Sequence, residues 1–360
     1  MAIEKVHIER FLELSKDHPV LDVRSPAEYK HAHIPGAISF PLFSDEERKQ
    51  VGTAYKQQSR ETAIKIGLDY FGPKMRSMLG EVEAILAKSA ISDIKSKIIL
   101  VHCWRGGMRS AAIAWLLDLY GFKVYTLAGG YKKFRHWIID TFSLPFQFSI
   151  LGGYTGSGKT YVLNELAKHG ETVVDLEFLA NHKGSAFGNI GMPAQPSQEM
   201  FENLVALKLR EAFDELASNT IWLEDESQRI GLVNIPQPLW ERMRTSPIYF
   251  LDIGFEERLD HLEKEYGVLD KQKMCEAIER IRKRLGGLET KTSIECLEEN
   301  RIRDGFEILL KYYDKWYNKG LNQRDNLNKL LNKVRGDRVE AVANAKRILK
   351  AKKESWEKSA

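Results

Sequence analysis

The chain has 360 residues, 43% hydrophobic and 29% charged, which excludes collagen-like, disordered and small disulfide-stapled classes and predicts two or three globular domains. The net charge is only +4, but residues 301–360 hold 16 Lys and Arg against 8 Asp and Glu, so a phosphate-bearing partner is expected at that end. Three dispersed cysteines, no apolar secretory leader and no run near about 18 apolar residues together predict a cytoplasmic protein with no membrane contact.

In chain order, Val20-Leu21-Asp22-Val23 reads as a first buried strand. The polar, aromatic stretch Val51–Gln58 has no core periodicity, and a binding role is open to it. Lys97–His102 is a second strand, Ala111–Leu119 a helix and Lys123–Leu127 a third strand, closing on Ala128-Gly129-Gly130. Strands alternating with helices predict an open parallel α/β sheet over residues 1–136.

Between the second strand and its helix stands Cys103-Trp104-Arg105-Gly106-Gly107-Met108-Arg109-Ser110. A thiol there faces unpaired amides and the positive end of a helix dipole. The two glycines let the loop curl so that its N–H groups converge. An ordinary thiol of pKa about 8.5 is roughly 3% ionised at pH 7, and a depression of about two units makes it about three-quarters thiolate. Cys103 and Arg109 are therefore the candidate catalytic residues, and Trp104, Arg105, Gly106 and Gly107 the candidate anion ligands. Cys275 and Cys296, in charged helical stretches, read as structural.

Residues 136–146, with Pro145, mark a domain boundary, and Phe148–Leu151 begins a new strand. Gly153-Tyr154-Thr155-Gly156-Ser157-Gly158-Lys159-Thr160 matches the P-loop pattern in full and lies between a strand and a helix. Its amides would wrap a diphosphate, Lys159 would add a point charge and Thr160 would ligate a metal, with Mg2+ the candidate ion. Whether the phosphates belong to a nucleotide or to another diphosphate is open. Further strands are expected at Thr172–Asp175, Thr220–Leu223 and Ser246–Asp252, with a helix over 198–217. Glu224 and Asp225, at the end of one strand, are the candidate acidic partners of the P-loop, and Asp175 ends another. In the loop Asn181–Gly188, His182 reads either as a surface histidine or as a substrate contact, with Lys183 and Ser185 beside it as further candidates.

From Phe255 the pattern is helical and charged to the end, giving an expected P-loop NTPase-like α/β domain at 147–254 and a basic helical extension at 255–360. Aromatic and basic residues interleave at Lys311-Tyr312-Tyr313 and Lys315-Trp316-Tyr317, followed by Arg335, Arg338, Lys346, Arg347 and Lys350. Arg280, Arg282, Lys283 and Arg284 form another basic cluster. Cations with stackable rings suit a structured RNA.

Asp22-Val23-Arg24 with Glu28-Tyr29, His33-Ile34-Pro35-Gly36-Ala37, the Cys103 loop and Gly129-Gly130 resemble a rhodanese domain over residues 5–135. The loop departs from the usual sulfur carrier in one respect. Arg109 stands six residues after Cys103 rather than five, and Cys-x5-Arg-Ser also resembles a cysteine-dependent phosphatase loop. The wider cradle suits a tetrahedral anion.

A rhodanese-like domain joined to a P-loop domain, with the residues above and Val51-Gly52-Thr53, resembles the tRNA 2-selenouridine synthase family. The resemblance implies a transferase acting on 2-thiouridine at the wobble position of tRNA. The implied steps are S-geranylation by geranyl diphosphate, then replacement of the geranylthio group by selenium from selenophosphate. Cys103 would receive or guide selenium while Arg109 and the loop amides stabilise the departing phosphate. The P-loop would hold the prenyl diphosphate and the basic helices the anticodon arm, and a selenophosphate-supplying enzyme is an expected partner. Two alternatives stay open: a cysteine-dependent phosphatase with a P-loop regulatory domain, and an RNA-binding P-loop NTPase.

Overall fold

A computed structural model describes residues 3–88, 97–215 and 220–357. The chain divides into two compact units, residues 1–140 and 141–360. The division falls inside the 136–146 stretch, and residues 255–360 share a unit with the P-loop.

Unit one is built on five parallel strands, β1 (Ile3–Val6), β2 (Val20–Asp22), β3 (Ile38–Ser39), β4 (Ile98–His102) and β5 (Lys123–Leu127), in the order β1-β5-β4-β2-β3. Central β4 is Ile-Ile-Leu-Val-His, apolar on both faces because helices cover both. Leu21, Ile99, Val101, Ile113, Leu117 and Val124 form the core beside it, all 0–1% exposed. Among the helices of this unit that the sequence pattern does not mark are Asp45–Gln57, Arg60–Phe71 and Met75–Lys88. The first explains Val51–Gln58: apart from buried Ala54, that stretch is largely the solvated face of a helix started by a Ser44–Glu47 capping box.

Unit two holds β6 (Phe148–Gly153), β7 (Ile221–Glu224), a hairpin of β8 (Arg229–Ile230) and β9 (Val233–Asn234), β10 (Ile248–Ile253) and β11 (Leu331–Gly336). The main sheet is parallel in the order β11-β10-β6-β7. The C-terminal region is therefore not helical throughout: β11 returns to extend the sheet, its Val334 buried with Leu251 and Ile348. Thr172–Asp175 is not a strand. Only Val173 bridges to Trp222, after which Asp175 turns the chain by capping the short helix Leu176–Leu179. Helix Gln198–Glu215 forms as expected, and residues 216–217 of the expected span lie outside the described residues. A second core, including Leu262, Met274, Ile278, Phe306 and Leu310, joins the helices after β10. Cys275 packs against the edge of this core, and Cys296 is buried on the helix Gly287–Glu298. No helix among the described residues is long and apolar enough to cross a membrane.

Candidate functional site

In unit one, β4 ends at His102 and delivers Cys103 to the start of the helix Met108–Leu119. The Cys103 Sγ lies 3.2 Å from Ser110 Oγ and accepts the Gly107 N–H at 3.4 Å. Behind the loop, the N–H groups of Tyr131 and Lys132 donate to the carbonyls of Cys103 and Trp104, at 2.8 and 2.9 Å. Gly130 makes this buttress possible. Its φ is +59°, and a Cβ there would stand 2.3 Å from the Cys103 carbonyl oxygen.

Burial alone would push the Cys103 thiol up. The Ser110 hydroxyl and amide, the Gly107 amide and the Arg109 charge together outweigh it and hold the thiol below its ordinary range. Cys103 alkylation, followed by mass spectrometry of its peptide, is expected to decline only as pH falls through this lowered pKa. Replacing Ser110 with alanine should move the midpoint upward; an unmoved midpoint would remove the hydrogen bond as its cause.

Arg109 does not stand free. Its Nη1 lies 2.6 Å from Glu28 Oε2, and Nη2 donates to Oε1 at 3.3 Å. Burial works against the Glu28 charge, but Arg109, the Ser25 amide and Arg48 bring its pKa to about 2. Arg109 is accordingly held in place by Glu28, and that pairing keeps it protonated. In the same unit, buried Arg24 pairs with Asp22 at 2.6 Å and donates to the Ala32 carbonyl at 2.7 Å. Burial lowers the His102 pKa to about 4 despite nearby Asp22, so this histidine is neutral at physiological pH. Trp104, Arg105 and Gly107 are exposed, and Gly106 is half-buried with φ +64°.

In unit two, β6 runs into the P-loop, where Gly156 and Gly158 take φ +80° and +75°. Lys159 Nζ donates to the Gly153 carbonyl at 3.0 Å and lies 3.4 Å from Glu224 Oε1; Thr160 Oγ1 donates to Glu224 Oε2 at 3.4 Å. The Ser157 hydroxyl is buried with no hydrogen-bond partner among the described residues. Of the two candidate acidic residues, Glu224 is the one at the loop. Asp225 is committed elsewhere: it pairs with Arg324 and accepts the Tyr317 hydroxyl at 2.7 Å, while that hydroxyl accepts the Gly153 N–H at 3.1 Å. Arg258 donates to the Thr155 carbonyl and pairs with Asp314, tying the loop to the helices Phe255–Tyr266 and Ile302–Asn322.

Two carboxylates that sequence reading left out complete this site. Glu177, Glu224 and Glu226 each offer an oxygen within 4.8 Å of the others. Burial and mutual repulsion push the pKa values of Glu177 and Glu226 up, so the cluster holds a proton at neutral pH. Burial opposes the Lys159 charge, but these glutamates prevail and keep it protonated. Three carboxylates and the Thr160 hydroxyl form a hard-oxygen set suited to Mg2+, and their incompletely balanced charge fits a cation.

The Asn181–Gly188 loop lies over this cluster: a Cβ on Gly184 would stand 2.3 Å from Glu177 Oε1 and 2.9 Å from Glu226 Oε1. His182 is not a surface histidine, being 7% exposed, with burial and then Arg280 lowering its pKa. Lys183 is exposed and pairs with Glu265 at 3.4 Å, while Ser185 Oγ accepts the Phe187 N–H at 3.2 Å. The aromatic–basic helix also divides. The Tyr313 hydroxyl accepts the Ala186 N–H at 3.3 Å and Tyr317 serves the P-loop, whereas Trp316 stays 42% exposed. Arg335, Arg338, Lys346 and Lys350 are exposed.

A family model described as the tRNA 2-selenouridine synthase AAA domain matches residues 146–348, and one described as a rhodanese-like domain matches residues 8–136. A protein named tRNA 2-selenouridine synthase from a Sulfurovum species is 33% identical over 356 residues, covering 90% of this chain and 93% of its own length. Its namesake from Marinobacter nauticus is 34% identical over 341 residues, covering 86% and 89%. That from Hydrogenovibrio crunogenus is 35% identical over 334 residues, covering 84% and 89%.

Proposed function

Since the chain belongs to the tRNA 2-selenouridine synthase family, we propose that it converts wobble-position 2-thiouridine in tRNA to 2-selenouridine through an S-geranyl intermediate. The observation that carries this reading is the pairing, in one chain, of a buried thiol that accepts the Gly107 N–H at the start of a helix with a complete P-loop.

In the first step the 2-thio sulfur attacks C1 of geranyl diphosphate. A C–S bond forms, the C–O bond to diphosphate breaks, and the uridine loses a proton. The P-loop amides and Lys159 would take up the charge of the departing diphosphate. Thr160 and Glu224, with Glu177 and Glu226 near, would hold a divalent cation, which when bound shields phosphate charge.

In the second step the selenium of selenophosphate attacks C2, the C2–Se bond forms, and geranylthiolate leaves and takes a proton. Breaking the Se–P bond then releases 2-selenouridine. Selenium is already reduced in selenophosphate, so an S–Se bond on Cys103 would require an oxidant. A phosphoryl group passing to the Cys103 thiolate, and from there to water, requires none. Cys103 thus guides selenium by accepting the phosphate, with Gly107 and Arg109 beside the charge that develops. Exposed bases of the C-terminal helices would meet the anticodon arm.

Incubating 2-thiouridine-containing tRNA with the protein, geranyl diphosphate and selenophosphate should yield S-geranyl-2-thiouridine and then 2-selenouridine on nucleoside mass spectrometry. Hydrolysis of an aryl phosphate without any change in tRNA would favour the phosphatase alternative. RNA-stimulated ATP or GTP hydrolysis without modified nucleosides would favour the NTPase.

A further inference from the structure

We propose that Trp104 is a stacking platform for the target nucleobase, seating it beside Cys103; this rests on the tRNA-modifying reading above. Trp104 directly follows the buried cysteine, yet it is 37% exposed. An indole is among the largest apolar groups a fold can bury, and one left open at the rim of a reactive loop offers its face to a ligand.

The ring is held in place. It packs against Tyr131, centroid to centroid 5.8 Å, and Tyr131 is itself fully buried. The Arg24 guanidinium lies 3.9 Å from the Tyr131 centroid, and Arg24 is fixed in turn by Asp22 and the Ala32 carbonyl. The Trp104 backbone is pinned as well, its carbonyl accepting the Lys132 N–H at 2.9 Å. A pre-placed ring loses little freedom when a flat partner lands on it.

The surroundings select the class of partner. Arg105 follows the indole in the chain, and Lys132 and Lys133 open the helix whose amides cap the loop. All three are exposed and enter no ion pair among the described residues. A fixed ring bordered by unpaired cations matches a base and its flanking phosphates. An uncharged indole with a single N–H is a poor anion ligand, so Trp104 differs here from the role expected of it in the sequence. The cations of the rim can still meet anions.

The test uses the full-length protein and two RNA stem-loops, one with 2-thiouridine and one abasic at that position. Stacking is worth about 10-fold to 100-fold in affinity. The unaltered protein should prefer the 2-thiouridine loop by that factor; Trp104→Leu, which keeps apolar bulk without a ring, should lose the preference. Trp104→Phe should restore much of it and lower the KM for tRNA relative to Trp104→Leu, with kcat changing less. Equal binding of both loops by the unaltered protein, or an undiminished preference in Trp104→Leu, overturns the proposal. If the unaltered protein makes no 2-selenouridine under the conditions above, it is the underlying reading that fails.

Discussion

Cys103→Ser is expected to stop 2-selenouridine formation while S-geranyl-2-thiouridine continues to form. The two side chains are nearly isosteric, and the position is 3% exposed within a loop fixed by Gly130 and the Tyr131 and Lys132 amides. The fold should therefore lose only about 1 kcal/mol. The chemistry changes far more. The loop lowers the thiol pKa, but a serine hydroxyl starts several units higher and stays protonated at neutral pH. Removing an activated nucleophile commonly costs about three orders of magnitude or more in rate. Quantifying both nucleosides over time checks this; 2-selenouridine accumulating at the original rate would exclude Cys103 from the reaction. Geranylated tRNA should accumulate in its place.

Lys159→Ala is expected to give the opposite pattern. Geranylation should fall by about 10²–10³-fold, while tRNA supplied already geranylated should still be converted to 2-selenouridine. Lys159 is the cation at the end of the P-loop, 3.4 Å from Glu224 and bonded to the Gly153 carbonyl. Without it, a diphosphate would meet the carboxylates of Glu177, Glu224 and Glu226 directly. Those groups already have raised pKa values, and losing the amine would raise them further. Proton uptake by the cluster should limit the loss of stability. Unchanged geranylation would remove the P-loop from the prenyl step. The two variants together assign the two steps to two loops, since a general loss of folding would abolish both products in each.

Both loops were legible in the sequence because each is local. A strand, a glycine-permitted turn and a helix N-terminus lie within ten or so consecutive residues, and the backbone requirement appears as glycines at defined spacing. Strands β2, β4, β5, β6, β7 and β10 were legible as apolar runs; β1 and β3 were not, and Thr172–Asp175 carries such a run without forming a strand. The three helices of residues 45–88 were not, because their short polar turns fell between the motifs. β11 escaped notice because Leu331-Asn332-Lys333-Val334-Arg335-Gly336 is an edge strand with one buried face and reads as another charged helical stretch.

From the sequence itself came two α/β domains, a thiol placed to ionise, a diphosphate loop and a basic C-terminal end. Only the tertiary structure settled what each charge faces. Arg109 meets Glu28 across 81 positions, and Thr160 meets Glu224 across 64. Glu224 and Asp225 are neighbours in sequence and equivalent in composition, so no local signal separates them. Successive side chains leaving a strand point to opposite faces, which sends Glu224 to the P-loop and Asp225 to Arg324 and Tyr317. The carboxylate cluster arises in the same way: Glu177 comes from a short helix and Glu226 from beyond β7, and a sheet edge brings them together. Local backbone rules can be read along the chain, but the pairing of charges depends on which distant segments the core packs side by side.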